Sequence, residues 1–188
     1  MSTERTTGLT YEDLLEMFPE EDNVRRELIG GELIVSPAPS FRHQQVVVRM
    51  VVALDAYARA HDGEALVAPF DVKLTDRDVV EPDVLYFGRE ARRRIEQRYV
   101  QSAPDLVVEV SSPTTRRVDL VRKRDLYERF GVPEYWFVDL DADRVEVFHL
   151  ADGRYGPSSL LGRADTLKSS LLPGLERSVD AILGPPPG

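Results

Sequence analysis

The spacing of apolar and polar positions predicts three helices before residue 150. Apolar residues that follow a capping pattern at Thr10 predict a short helix that stops at Pro19. Between residues 46 and 57 apolar side chains recur every three or four positions, which predicts a long helix capped by Ser40. A third helix is predicted over residues 115–130. The first is expected to be an accessory element, and the other two to flank a sheet.

The extended segments fall between these helices. Two apolar runs around a Gly-Gly pair in residues 26–35 predict a β-hairpin, because glycine supplies the positive φ of a two-residue turn. Residues 65–74 and 79–87 are predicted to form a second hairpin. Residues 105–111 form a nearly continuous apolar run, typical of a strand buried on both faces.

The end of the pattern completes the expected fold. Strands are predicted at 135–140 and 144–150, paired across a short turn. The order of elements predicts an α/β sandwich around one mixed β-sheet flanked by helices, with an N-terminal helix and hairpin. Residues 151–183 are expected to be a C-terminal extension without readable periodicity, and the proline-rich stretch 184–188 a frayed tail.

Length and composition narrow the class of protein. A chain of 188 residues, 42% hydrophobic, is long enough for one buried core, so a single domain spanning 1–188 is expected. No apolar stretch approaches the ~20 residues that a membrane-spanning helix needs, and the polar start lacks a signal-peptide pattern. The chain has no cysteine, which excludes disulfides, zinc-thiolate sites and a cysteine nucleophile. A cytoplasmic protein without membrane contact is expected.

Charge is distributed unevenly along the chain. The net charge of −9 has the wrong sign for a protein that coats nucleic acid non-specifically. However, the segment from Arg89 to Arg129 has eleven basic and seven acidic residues, a local excess of four positive charges. Arginines in this segment are candidate phosphate contacts, although arginine-rich helix faces are more often ordinary solvated surface. These weak nucleic-acid-binding candidates are Arg92, Arg93, Arg94, Arg116 and Arg117.

Two carboxylates lie inside apolar strand segments. Asp83 lies between Glu-Pro and Val-Leu-Tyr-Phe, and Glu109 lies between Leu-Val-Val and Val. Ionised carboxylates are rarely buried without a partner. A divalent cation is a suitable partner for two converging carboxylates, since hard Mg²⁺ takes one or two carboxylates together with water and phosphate oxygens. Each acid alone could instead face water on an edge strand.

Two further patterns lie near these acids. Asp119, Lys123 and Tyr127 are spaced by four and therefore project from one face of the third helix, although a surface ion pair with a packing tyrosine explains that spacing equally well. The literal D-x-K sequence Asp71-Val72-Lys73 is an alternative site one strand earlier. That placement leaves the pair of buried acids unexplained.

Taken in order, these motifs resemble one family. They are similar to the Uma2 (Uma-two) family of restriction-endonuclease-like proteins, within the PD-(D/E)XK nuclease superfamily. The resemblance covers about residues 25–150, the expected nuclease-like core. The matching residues are Glu27-Leu-Ile-Gly-Gly-Glu32, Ser36-Pro37, His43, Pro82-Asp83-Val84, Pro104-Asp105-Leu-Val-Val-Glu109-Val-Ser111, Ser112-Pro113, Asp119, Lys123, Tyr127, Gly131-Val-Pro-Glu-Tyr-Trp136 and Val138-Asp139.

The resemblance implies a restriction-endonuclease-like fold and a function. Asp83 and Glu109 would hold Mg²⁺ or Mn²⁺, and the protein would hydrolyse phosphodiester bonds, most simply in DNA. Ser111 stands where the superfamily has lysine, so Lys123 becomes the candidate that orients water or stabilises negative charge in the transition state. The resemblance also implies a homodimer.

The supporting residues have alternative roles. Of the two hairpin glutamates, the resemblance favours Glu27 over Glu32 as the one facing the site. His43 is as suitable for a hydrogen bond near the helix start as for metal ligation, and Tyr127 is favoured as a packing and hydrogen-bonding partner of Lys123. Two alternatives stay open: a nuclease-like fold retained as a catalytically inactive binding or dimerisation module, and metal-free acid–base hydrolysis by two carboxylates.

Overall fold

The computed structural model describes residues 8–19, 24–112 and 115–186. The helices are α1 (Tyr11–Met17), α2 (Phe41–His61), α3 (Arg124–Arg129) and α4 (Val179–Leu183), with a 3₁₀ turn at Ala91–Arg94 and a π-helical segment at Val118–Lys123 directly before α3. The strands are β1 (Arg25–Ile29), β2 (Glu32–Ser36), β3 (Glu64–Val67), β4 (Asp71–Lys73), β5 (Val79–Val80), β6 (Val84–Phe87), β7 (Tyr99–Val100), β8 (Leu106–Val110), β9 (Glu134–Asp139), β10 (Arg144–Ala151), β11 (Arg154–Tyr155), β12 (Ser159–Gly162), β13 (Thr166–Lys168) and β14 (Glu176–Ser178).

The first two helices begin at the predicted caps. The backbone N–H of Thr10 donates to the Asp13 carboxylate at 2.8 Å, and the Thr10 hydroxyl accepts from the Asp13 N–H, which completes a capping box. The Ser40 hydroxyl accepts from the N–H of His43 at 3.2 Å and caps α2. This cap fixes the start of the helix that carries His43.

Within the described residues, the strands form three sheets rather than the single mixed sheet that was predicted. The main sheet has the order β11-β10-β9-β8-β6-β3, with β12 also paired to β10. Its central pair, β8 and β9, is parallel. A five-stranded sheet has the order β2-β1-β5-β4-β7, and β13 and β14 form a small third sheet.

The five-stranded sheet arises because each strand of the predicted second hairpin is divided into two shorter strands. β4 pairs with β5 in the five-stranded sheet, whereas β3 pairs with β6 in the main sheet. Pro69 and Pro82 lie at the two breaks, and proline cannot donate a ladder hydrogen bond. The chain therefore changes sheet on either side, which places Asp83 at the point where β6 begins.

The main sheet buries both faces. On one face α2 and α4 cover alternate side chains such as Val84, Val108 and Trp136. On the other face Leu85 and Val107 pack with side chains from α3 and from the five-stranded sheet. The alternation of side chains along each strand decides which face a residue joins.

The C-terminal part contributes to the first of these faces. The residues from it that are buried in the core are Leu167, Leu172, Leu175, Val179, Ile182 and Leu183. Pro187 and Gly188, which belong to the expected frayed tail, lie outside the described residues. Among the helices that the structure describes, none is both long and apolar enough to cross a membrane.

Candidate active site

The register of the main sheet brings Asp83 and Glu109 together. Val84 pairs with Val108 in the antiparallel ladder of β6 and β8, so the next positions outward are Asp83 and Glu109. Side chains at opposite positions of an antiparallel pair project from the same face. The two carboxylates are 2% and 1% exposed and line one cavity.

Lys123 reaches this face from the π-helical segment. Its Nζ lies 2.7 Å from Oε1 of Glu27, 3.0 Å from Oε1 of Glu109 and 3.6 Å from Oδ1 of Asp119. Lys123 is 1% exposed. A buried ammonium group is stable only when nearby negative charges compensate it. The spacing of four residues is also compatible with a surface ion pair, but in the structure Asp119 and Lys123 lie in a buried cluster. Tyr127 donates its hydroxyl hydrogen bond to Oε1 of Glu109 at 2.5 Å, the same oxygen that Lys123 contacts.

Among the residues that the structure describes, Asp83 has three partners of its own. Arg25 donates from Nη2 to Oδ1 at 2.7 Å, and the backbone N–H of Val110 donates to Oδ2 at 2.8 Å. Nε2 of His43 lies 3.3 Å from the same Oδ2. The other ring nitrogen of His43, Nδ1, is buried without a hydrogen-bond partner in the described part of the chain.

These surroundings move the pKa values of the acids in opposite directions. Burial alone would raise the pKa of Asp83, but the hydrogen bond from His43 and the charge of Arg25 hold it well below its usual range. Burial raises the pKa of Glu109 to about 8, because the attraction of Lys123 does not offset desolvation and three neighbouring acids. Burial also raises the pKa of Asp119 to about 6.

A cavity of about 310 Å³ opens over this cluster. Its floor consists of the charged side chains, and its rim is formed by the residue before β1, the end of β2 and the loops after β2, β3 and β8. The rim residues are Val24, Ser36, Pro37, Ala38, Pro39, Ala68, Pro69, Ser112 and Thr115. Gln44 of α2 and Glu81 also line it, and burial raises the pKa of Glu81 to about 7.

The donor set fits a hard divalent cation. Four carboxylates, from Glu27, Asp83, Glu109 and Asp119, face two cations, Lys123 and Arg25, so the cluster has two negative charges in excess when all four acids are ionised. Carboxylate oxygens are the ligands that Mg²⁺ and Mn²⁺ prefer. Within the described ranges, no three acidic or histidine side chains already form a metal-binding group. One or two carboxylates, completed by water and phosphate oxygens, would therefore hold the ion.

Other predicted site residues lie outside this cluster. The Ser111 hydroxyl accepts a hydrogen bond from the backbone N–H of Leu140 at 3.0 Å and so stabilises the turn after β9. Arg116 pairs with Asp139 at 2.9 Å, and Arg117 is exposed close to the cavity residue Thr115.

The arginine run is at the far end of β6. Arg92, Arg93 and Arg94 follow the C-terminal end of this strand, whereas Asp83 precedes its first residue. Arg92 is paired with Asp62 at 2.8 Å. The structure does not bring this run to the cavity.

Two acids that were alternative site candidates, Glu32 and Asp71, have partners outside the cluster. Glu32 pairs with Arg122 on the surface, whereas Glu27 is buried in the cluster. In the D-x-K sequence, Asp71 accepts from the Tyr11 hydroxyl at 2.6 Å and Lys73 pairs with Asp76 at 2.7 Å. This alternative site is not assembled.

Sequence reasoning missed two side chains of the site, Arg25 and Glu81. The sequence contains a signal for Arg25, because residues two apart in a strand share a face and Arg25 lies two positions before Glu27. No comparable signal marked Glu81, since the break at Pro82 interrupts the strand periodicity.

Comparisons with known proteins add the following. A sequence model of the Uma2 family, described as "Putative restriction endonuclease", matches residues 11–180. None of the curated proteins matches the chain. A crystal structure at 1.96 Å resolution of a protein from Anabaena variabilis, described as "a putative nuclease belonging to DUF820", has a TM-score of 0.79 and 18% sequence identity. The match covers 93% of this chain and 97% of that chain, and it confirms the predicted restriction-endonuclease-like fold class.

Proposed function

The chain belongs to the Uma2 family, described as "Putative restriction endonuclease", and from this premise we propose that it is a metal-dependent endonuclease that hydrolyses phosphodiester bonds in DNA. One observation supports the proposal most strongly. Asp83, Glu109 and Lys123 line the same cavity although they come from separate elements. Carboxylates converging beside a lysine are the groups that phosphodiester hydrolysis with a divalent cation requires.

Each side chain has a distinct task in the proposed reaction. Asp83 stays ionised over the physiological pH range because its pKa is lowered, so it remains available as a ligand. A bound Mg²⁺ or Mn²⁺, held by Asp83 and Glu109, would polarise the phosphate and lower the pKa of a water molecule. Lys123 lies beside Glu109, where its ammonium group can orient the attacking water or stabilise negative charge on the phosphate oxygens.

The hydrolysis balances in protons. Attack of a water oxygen on phosphorus releases one proton, and the alkoxide left when the phosphorus–oxygen bond breaks gains one. Arg25 lines the cavity and holds Asp83, so its guanidinium keeps that carboxylate oriented as charge develops.

Metal binding is tested by thermal denaturation in Mn²⁺. A ligand that binds only the native state at 100 times its Kd adds about 2.7 kcal/mol of stability, which raises the Tm of a chain of this length by roughly 5–10 °C. Wild type and Glu32→Gln, which changes an exposed glutamate outside the cluster, should both show the shift. Asp83→Asn should show little. Equal shifts in all three proteins would place the metal elsewhere.

Catalysis is tested on circular DNA, which reports internal cuts. Wild type should convert supercoiled plasmid or circular single-stranded DNA to nicked or linear forms in Mg²⁺ or Mn²⁺ but not in EDTA, whereas Asp83→Asn and Lys123→Met should not. Circular dichroism of both variants verifies that they fold. Cleavage that persists in EDTA would support metal-free acid–base hydrolysis instead. Mn²⁺ binding without any cleavage would favour the inactive binding module.

A further inference from the structure

The reacting groups lie deep below the surface. Asp83, Glu109 and Lys123 are each at most 2% exposed, and the cavity that leads to them has a volume of about 310 Å³. This volume is at the lower end of the ~300–1,000 Å³ found for small-molecule pockets. Such a cavity has room for about one nucleotide unit. The two paired strands of an intact double helix are too wide to enter it. A flexible strand can insert one phosphodiester more easily than a duplex can.

The rim of the cavity has a different character from its floor. Val24, Pro37, Ala38, Pro39 and Pro69 are apolar, line the cavity and are exposed. An apolar rim around a charged floor suits a strand that points a phosphate inward and lays its bases outward.

Phe41 extends this rim along α2. It is 79% exposed, more than any other large apolar side chain in the described part of the chain. Gln44, three residues later in the same helix, lines the cavity. Side chains three apart are neighbours on a helix surface, about 5–6 Å between their Cβ atoms. The Cβ atom of Phe41 therefore lies near that of a cavity residue, which brings the cavity mouth within reach of an aromatic face that can stack on a nucleobase.

The cations at the cavity are too few for a duplex footprint. Among the described residues that line it, the lysines and arginines are Lys123 and Arg25, and both are paired with carboxylates. Duplex binding normally depends on many phosphate contacts from lysine and arginine. Binding to a single strand can draw instead on base stacking, which tolerates any sequence because every base has a π-face.

We propose that Phe41 and the proline rim form a stacking platform for single-stranded nucleic acid, which presents an unpaired phosphodiester to the buried carboxylates. The inference rests on the proposed nuclease function and names its substrate as single-stranded rather than duplex. Since DNA and RNA strands share the phosphates and stacking bases, the test compares both.

The test measures stacking and affinity without hydrolysis. A labelled 12-nucleotide single strand carrying 2-aminopurine is titrated in EDTA and again in Ca²⁺, beside its RNA counterpart and its duplex. Wild type should bind the single strands more tightly than the duplex and quench 2-aminopurine. Phe41→Ala should lose the quenching and weaken binding about 5- to 150-fold. Phe41→Trp should retain both.

The matched control is Val52→Ala. Val52 is 63% exposed on the same helix but lies eleven residues from Phe41, about 16 Å along the axis. The Val52→Ala variant should bind nucleic acid like wild type. Tighter binding to the duplex, or equal behaviour of Phe41→Ala and Val52→Ala, would overturn the inference. So would sedimentation showing that Phe41→Ala only dissociates a homodimer, since the ring would then pack against a second copy.

Cleavage distinguishes this inference from the function on which it rests. If wild type cuts circular single strands and Phe41→Ala raises KM with little change in kcat, both stand. If wild type cuts only the supercoiled plasmid, the nuclease stands and the single-strand inference fails. If wild type cuts neither substrate, the proposed function fails, while the binding measurements still decide whether Phe41 stacks on a base.

Discussion

At the scale of single residues, the site is a set of buried charges that depend on one another. Lys123 contacts three carboxylates, and Arg25 contacts a fourth. Removing one member of a buried ion pair leaves an uncompensated charge and typically costs about 3–5 kcal/mol. Variants of these charges therefore change stability together with activity, and neutral contacts around them are better suited to separating the two.

Tyr127 offers such a contact. Tyr127→Phe keeps the ring but removes the hydroxyl that donates to Glu109, so the free energy of unfolding should fall by about 1.5–3 kcal/mol, the usual range for a hydrogen bond to a charged group. Urea denaturation measures the loss. The control is Tyr135→Phe, whose hydroxyl donates to the neutral carbonyl of Asp119 at 3.1 Å and should cost about 0.5–1.5 kcal/mol. Because the pKa of Glu109 is raised to about 8, both losses are measured at about pH 9, where Glu109 is ionised, and equal losses there would contradict a hydrogen bond to a charged group.

The two buried acids of the candidate site were easier to predict than their neighbours. Asp83 and Glu109 stood out because a carboxylate inside an apolar strand requires a partner. The choice of Glu27 over Glu32 depended on the family resemblance, because either residue of a hairpin could face the site. The contacts of Ser111 with the backbone of Leu140 could not be foreseen, since they depend on which strands become neighbours.

At the scale of secondary structure, periodicity predicted the strands better than their pairing. Residues 65–74 and 79–87 do pair antiparallel, but each is divided between two sheets. The pattern of apolar residues identifies buried strands without identifying the sheet that each one joins. The prolines at the two breaks mark where the chain passes from one sheet to the other. They could not be interpreted in this way without knowing the five-stranded sheet, whose strands are two to five residues long.

The turn between β9 and β10 gives a prediction at this scale. The Asp139 carboxylate accepts from the backbone N–H groups of Asp141 and Ala142 and from Arg116. Burial alone would raise the pKa of Asp139, but these hydrogen bonds outweigh it and the pKa lies below its usual value. A group with a lowered pKa stabilises the fold above its unfolded pKa of about 3.9 and loses that effect as pH falls through the folded value.

Asp139→Asn should therefore be less stable than wild type at pH 7, by about 1–3 kcal/mol. The difference should shrink as the pH falls below about 4, because wild type then loses the same charge. Thermal denaturation of both proteins between pH 2.5 and 7 measures it. Asp141→Asn, which changes an exposed acid in the same turn, should follow wild type. A difference that is constant over this range would mean that shape rather than charge determines the effect.

At the scale of the whole molecule, the C-terminal extension completes the core. Glu134 in β9 accepts a hydrogen bond from Trp136 at 2.6 Å, and its other oxygen accepts from the N–H of Leu171 at 3.3 Å. The extension was unreadable from sequence because its strands, of two to four residues, are too short to show a period. Its role depends on contact with α2 and the main sheet, far away along the chain.

A chain that ends after Arg163 should not fold cooperatively. The deletion removes six buried side chains, and burying each contributes about 1.5–3 kcal/mol. Their sum, roughly 9–18 kcal/mol, matches or exceeds the ~5–15 kcal/mol by which native proteins are stable. Near-UV circular dichroism and urea denaturation should show lost tertiary packing. A chain that ends after Gly184 keeps all six side chains and should unfold like wild type. If the shorter chain nevertheless unfolded in one cooperative transition, the core before residue 164 would be sufficient and the extension an accessory.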